Sequence, residues 1–230
     1  MNFSQHGSHS KHQVNKLVMT KIEIKITSRP ILNFTTKNNM SKNQIHFKNG
    51  TYDFGTNTFH ESPEKIPNTN YPYEPNVDHK VINKYFRILF QDDKVRQNIK
   101  RELGRMLTCD THKVYYQFVG AGANGKSRFV MSLALALGDY FKVIDDLDAI
   151  DKDTRLYKIR NNNFDRPMLK KLDRLMIIQE GNCYQDELLT DDDLSRKSDI
   201  ISFEVRYDKA TIEFSPMQMM GAMIRWRIGY

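Results

Sequence analysis

Residues Gly120–Ser127 read GAGANGKS, the spacing GxxxxGKS of a loop that cradles phosphates. Glycines let successive backbone N–H groups turn toward anionic oxygens, and a helix that starts at the end of the loop adds positive potential. Lys126 reaches the β- and γ-phosphate oxygens, and the Ser127 hydroxyl is placed to hold magnesium. Gly120, Ala121, Gly122, Ala123, Asn124, Gly125, Lys126 and Ser127 are therefore the candidate binding residues for ATP with Mg2+. Chemistry at the terminal phosphate also needs an acidic group to position metal and attacking water. Glu180, which ends the run Arg174-Leu175-Met176-Ile177-Ile178-Gln179-Glu180, is the candidate. Lys126 and Glu180 are the expected catalytic residues, and Ser127 and Glu180 the expected metal ligands. Gln179 stands where many P-loop ATPases carry a metal-coordinating Asp, so either Glu180 serves both roles or Gln179 holds magnesium through a water.

Elements of the right type flank these residues. Lys113–Val119 is a β-branched and aromatic run suited to a buried strand, and Ser127–Leu137 is Leu/Ala/Met-rich and closed by Gly138, a helix with its stop signal. Four apolar residues before Gln179 make a second buried parallel strand, with Glu180 at its carboxyl end, where open α/β sheets place ligands. Further upstream the period is helical: Val81, Ile82, Tyr85, Phe86, Leu89 and Phe90 form one apolar face. Val95, Ile99, Leu103, Met106 and Leu107 form another after a break at Asp92-Asp93. Asn49-Gly50 marks a hairpin, Ser62–Pro75 is a proline-rich extended connector, and Ile22, Ile24 and Ile26 alternate as a half-exposed strand. The expected fold class is α/β, a P-loop core with a parallel sheet. It divides into an N-terminal extension over residues 1–76, a small helical subdomain over 77–110 and the nucleotide-binding core over 111–230.

The bulk properties exclude some classes. The chain has 230 residues, a formal net charge of +7 and only two cysteines, Cys109 and Cys183, too few for a disulfide framework or a zinc site, so a reducing compartment is expected. No apolar run is long enough to span a bilayer, and the polar, His-rich start is unlike a signal peptide. A soluble intracellular protein with no membrane partner is the expectation. His6, His9 and His12 read as a solvated tail. The basic groups Arg206 and Lys209, and likewise Arg155, Lys158 and Arg160, are either a surface for DNA phosphates or ordinary solvated charge; the acidic run Asp191-Asp192-Asp193 weighs for the latter. Asn161–Asn163 reads as a loop.

Several ordered blocks together resemble one family. FKNGTYDFGTNTF (47–59), ELGRMLT (102–108), FVGAGANGKSRFVMSLALALGDY (118–140), RLMIIQEGN (174–182) and ISFEVRYDKATIEFSP (201–216) are similar to the superfamily 3 helicases, most closely the poxvirus-type primase-helicases of large DNA viruses, phages and plasmids. The resemblance implies an AAA+-like ATPase core that assembles as a hexameric ring and moves along single-stranded DNA during viral or mobile-element replication. Possible companions are a primase or other replication proteins, at a viral replication site or in the host cytoplasm or nucleus. Lys126 and Ser127 match the family's Walker A pair and Glu180 its acidic Walker B position, while Asp199 and Arg206 fall loosely on its third motif. After Phe214-Ser215-Pro216 the family continues with a strand ending in a polar sensor and then an arginine finger. Here Arg225 stands near the expected sensor and no finger is evident. The resemblance therefore predicts a truncated or split copy, without the last strand, whose P-loop strand is an unpaired edge.

Three functions stay open on these grounds: a DNA helicase subunit, a truncated nucleotide-binding remnant or regulatory subunit without unwinding, and a P-loop kinase acting on a small molecule. No acceptor site or lid speaks for the third. No paired-carboxylate polymerising site precedes Phe47, so no priming activity is assigned.

Overall fold

The computed structural model describes residues 43–62, 69–108, 115–144, 156–159, 176–181, 196, 198–203 and 212–229, all within one compact unit, Asn39–Tyr230. The expected strand at Ile22–Ile26, the N-terminal histidines, both cysteines, the Asn161–Asn163 loop, the acidic run at 191–193 and the basic residues Arg155, Arg160, Arg206 and Lys209 lie outside the described residues.

The asparagine-glycine signal produces a hairpin that grows into a meander. Strands β1 (Gln44–Phe47), β2 (Gly50–Asp53) and β3 (Thr58–Glu61) pair antiparallel in sequence order. Phe47 faces Gly50 across the tight turn. The Asn49 side chain then acts as a clasp: it accepts from Tyr73 N at 2.7 Å and donates to Tyr73 O at 3.1 Å. Part of the proline-rich connector is thereby laid along the sheet, and Phe47, Phe59, Tyr71 and Tyr73 pack their rings on one face.

Two helices follow where the period predicts them, α1 (Lys80–Leu89) and α2 (Asp93–Met106). The break between them is a helix start: Asp92 is extended and its carboxylate accepts from Val95 N at 3.0 Å, a cap worth about 1 kcal/mol. All the apolar positions of that second period are buried except Val95, which is 40% exposed. It sits in the first turn of α2.

The second sheet carries the site. Strands β4 (Tyr115–Val119), β5 (Phe141–Ile144), β6 (Leu156–Ile159), β7 (Met176–Gly181) and β8 (Ser198–Ser202) lie in the order β5-β6-β7-β4-β8, each neighbouring pair parallel. Helix α3 (Lys126–Leu137) runs from the β4 loop to a short 3-10 turn at Gly138–Tyr140 that leads into β5. β4 is buried along its whole length, as its apolar run requires. The expectation of an unpaired P-loop strand is overturned: β4 lies between β7 and β8, with Phe118 beside both Glu180 and Ile201. Asp199, read as part of a loose third motif, lies on the strand that supplies that partner, and Ile201 is buried there beside Phe118.

The segment after Phe214 departs from the pattern that the resemblance implies. Residues 216–228 form a helix, α4 (Pro216–Ile228), instead of a strand that ends in a sensor. Ser215 accepts from Gln218 N while the Gln218 side chain accepts from Ser215 N, and Pro216 takes the first helical position, a capping box with the favoured proline. Met217, Met219, Met220, Ala222, Met223 and Ile224 are buried, and the four methionines are unbranched thioethers able to fill an irregular gap. Gly104 of α2 permits the close crossing, since a Cβ there would lie 2.7 Å from Arg227 N. One buried cluster joins the four described helices to the two described sheets. Phe129 stands at its centre, with the rings of Phe86, Phe90, Phe118 and Phe203 around it at centroid distances of 5.5–5.9 Å, so the helix bearing the phosphate loop is pinned three residues after Lys126.

Candidate functional site

The loop between β4 and α3 has the backbone that its glycines allow. Gly120 has φ +147°, Gly125 has φ +87°, and Ala123 holds φ +62° without being glycine, a conformation that costs an L-residue about 1–2 kcal/mol. Gly120 is constrained by space as well, because a Cβ would fall 2.3 Å from both Asn124 Nδ2 and Phe203 O. α2 and α4 start under a side-chain cap, but α3 starts at Gly125 with none. Gly125 has no side chain to cover the first turn, and Lys126 N instead donates to Asn124 Oδ1 within the loop at 3.5 Å.

Lys126 is drawn into the loop. Its ammonium donates to Gly120 O at 2.5 Å, Asn124 Oδ1 at 3.0 Å and Ala121 O at 3.3 Å. The residue is only 7% exposed, and burial lowers its pKa while the Glu180 carboxylate opposes that shift. Asn124, 5% exposed, connects this centre to the sheet: its Nδ2 donates to Phe203 O at 2.8 Å. Phe203 N in turn donates to Val119 O at 2.8 Å, so the segment after β8 and the end of β4 are held together under the loop.

Glu180 approaches from the neighbouring strand. Ser127 Oγ donates to its Oε2 at 2.6 Å, and Lys158 Nζ on β6 donates to its Oε1 at 2.6 Å. Ser127, Glu180 and Gly122–Lys126 line one cleft of about 480 Å³, with Arg128 and Gly181 at its margin. Gly120 and Ala121 are not on its wall; their carbonyls lie behind, on the lysine. Gln179 points to the other face of β7, as the period of two requires. It is buried and accepts from the Tyr115 hydroxyl, which removes it from the metal-holding role weighed for it. Ser127 and Glu180 offer two hard oxygen donors side by side, a set that fits magnesium, which keeps waters and takes one or two protein ligands beside phosphate oxygens. No group of three His, Cys, Asp or Glu able to hold a metal by itself occurs among the described residues.

Other residues singled out in the sequence fall elsewhere. Asp199 is on β8 opposite Tyr116 and accepts from Ile200 N; it does not line the cleft. Arg225, near the position expected for the sensor, is on α4 and borders a separate cleft with Tyr52, Tyr73 and His79. Lys158, read from the sequence as one of several surface cations, belongs to the Glu180 cluster. Nothing local marks it, since 22 residues separate it from Glu180 and only the register of two parallel strands unites them. Among the described residues no helix is long and apolar enough to cross a membrane.

No family model matches the chain. A stretch of 109 residues is 31% identical to a protein of Acanthamoeba polyphaga mimivirus named "Putative helicase L207/L206", covering 44% of this chain and 11% of that protein. The mixed α/β unit, with its parallel sheet and glycine loop, is compatible with a P-loop core, and over the matched stretch the chain has a helicase-like relationship.

Proposed function

We propose that this chain binds and hydrolyses ATP at the Gly120–Ser127 loop as the P-loop domain of a superfamily 3, AAA+-like DNA helicase acting in viral or mobile-element replication. The observation that carries the reading is the convergence of Lys126, Ser127 and Glu180 at one cleft, although the acid lies 53 residues beyond the serine. In this reading Lys126 exchanges its loop carbonyls for β- and γ-phosphate oxygens, a swap of acceptors around a cation that the loop already holds in place. Ser127 and Glu180 hold magnesium, which neutralises phosphate charge when bound. Glu180 also orients the attacking water and takes its proton. The proposed track is single-stranded DNA, gripped through its phosphates, and the proposed working form is a ring of copies served by a primase or other replication proteins. The mimivirus relative's name supports the helicase part of this reading.

Calorimetric titration of Mg-ATP and an ATPase assay with and without single-stranded DNA test it. Wild type should bind, and DNA should stimulate turnover; Lys126→Ala should remove binding while lowering stability by about 1–3 kcal/mol, since three acceptors, the buried Asn124 Oδ1 among them, lose their donor. Unchanged affinity in folded Lys126→Ala would take the loop out of the nucleotide site. A second reading, nucleotide binding without unwinding, is favoured by one feature: helix α4 occupies the sequence where the family places its sensor strand. ATP binding without DNA-stimulated turnover would select it.

A further inference from the structure

Among the described residues, Lys158 is the side chain of the Glu180 cluster that the phosphate-loop reading leaves without a role. Its strand runs parallel to β7 with Lys158 beside Ile178, so Glu180, two residues on, projects from the same face. A lysine is long enough to cover that diagonal. Its ammonium reaches Oε1 at 2.6 Å while Ser127 Oγ reaches Oε2 at 2.6 Å, and the Glu180 side chain is only 13% exposed. Each oxygen of the carboxylate thus has its own donor, from a different element, and the two donors fix the rotation of the group. Without Lys158 a glutamate retains three free torsions and, among the described residues, the serine hydroxyl alone to choose among them.

We propose that Lys158 is a positioning residue: by holding Oε1 it presents Oε2 toward Ser127 and the metal place between them. This rests on the reading of the cleft as an ATP site. Partners of this kind orient a metal-holding carboxylate from behind, and their loss typically costs about 10–100-fold in metal affinity or activity.

The test is the magnesium-dependent gain in ATP affinity of the full chain, measured by calorimetry with ATP alone and with added magnesium, followed by kcat and KM for ATP. Lys158→Met should leave the affinity for magnesium-free ATP unchanged and reduce the magnesium gain about 10-fold or more. Any measurable kcat should fall more than KM changes, and Lys158→Arg should restore both. Should Lys158→Met fail to fold by circular dichroism, Lys158→Gln serves in its place. A wild-type magnesium gain in the neutral variant overturns the proposal and leaves the ATP site standing. Loss in both the neutral and the arginine variant also overturns it, because the charge is then not what positions Glu180. Failure of the wild type to bind ATP under either condition appears before any variant is made and removes both readings together.

Discussion

The carboxamide of Asn124 donates to the carbonyl oxygen of Phe203 at 2.8 Å, a contact across 79 residues that ties the phosphate loop to the chain leaving β8. The same carboxamide's oxygen accepts from the Lys126 ammonium at 3.0 Å. Asn124 therefore sets the height of the lysine over the sheet.

Replacing it tests that relationship. Asn124→Ala removes both bonds and strips the Phe203 carbonyl of its donor, so stability should fall by about 1–3 kcal/mol. ATP affinity should fall too, since Lys126 loses one of three acceptors that orient it. Urea unfolding and calorimetry measure the two effects. A variant as stable as wild type would show that Asn124 does not anchor the loop.

The first two glycines of the loop should respond differently. At Gly120 an alanine meets Asn124 Nδ2 and Phe203 O at 2.3 Å with φ at +147°, while at Gly122 a Cβ meets nothing within 4 Å. Gly120→Ala should cost at least about 1–3 kcal/mol from backbone strain, with loss of ATP binding. Gly122→Ala should stay within about 0.5 kcal/mol of wild type. Equal melting of the two variants would contradict the loop geometry.

Adjacent residues on β7 separate chemistry from packing. Glu180→Gln should keep its affinity for magnesium-free ATP but reduce kcat by about 10²–10⁴-fold, as expected when general-base action is lost. Gln179→Leu removes the acceptor of the Tyr115 hydroxyl inside the sheet and should cost about 1 kcal/mol of stability, with turnover near wild type. Steady-state kinetics and urea unfolding of both variants decide; the reverse pattern would exchange their roles.

Alkaline pH should unfold the protein through its tyrosines. Burial pushes the phenols of Tyr71, Tyr115 and Tyr116 well above the ordinary value, and at Tyr116 the Glu102 carboxylate adds to the shift. The unfolded chain releases these protons near pH 10 while the folded chain keeps them. Stability is thus fully present below about pH 10 and is lost above it. Burial moves Lys126 and Lys100 downward, so each contributes stability that rises with pH as the ordinary lysine value is approached; three phenols with larger shifts outweigh them. Urea midpoints should therefore drop above about pH 10, with the tyrosinate absorbance of these three phenols appearing only as the protein unfolds. Gradual ionisation of these phenols in folded protein would refute the sealed core.

The sequence by itself determined the features that depend on neighbours along the chain. GAGANGKS and its flanks specify a strand, a glycine loop and a helix, the apolar period over 81–107 specifies two helices, and Asn49-Gly50 specifies a hairpin. Each rests on spacings of a few residues. Ser215-Pro216 with Gln218 also carries the capping signal of α4, legible locally but overridden by the resemblance to a family with a strand there. Tertiary structure alone decided that β8 covers β4, that Gln179 turns inward while Glu180 meets Ser127, and that Lys158 closes on Glu180. These depend on strand order and register, which residues far apart set together by burying their apolar faces. A shift of one residue in that register would turn Glu180 into the sheet and Gln179 toward the cleft.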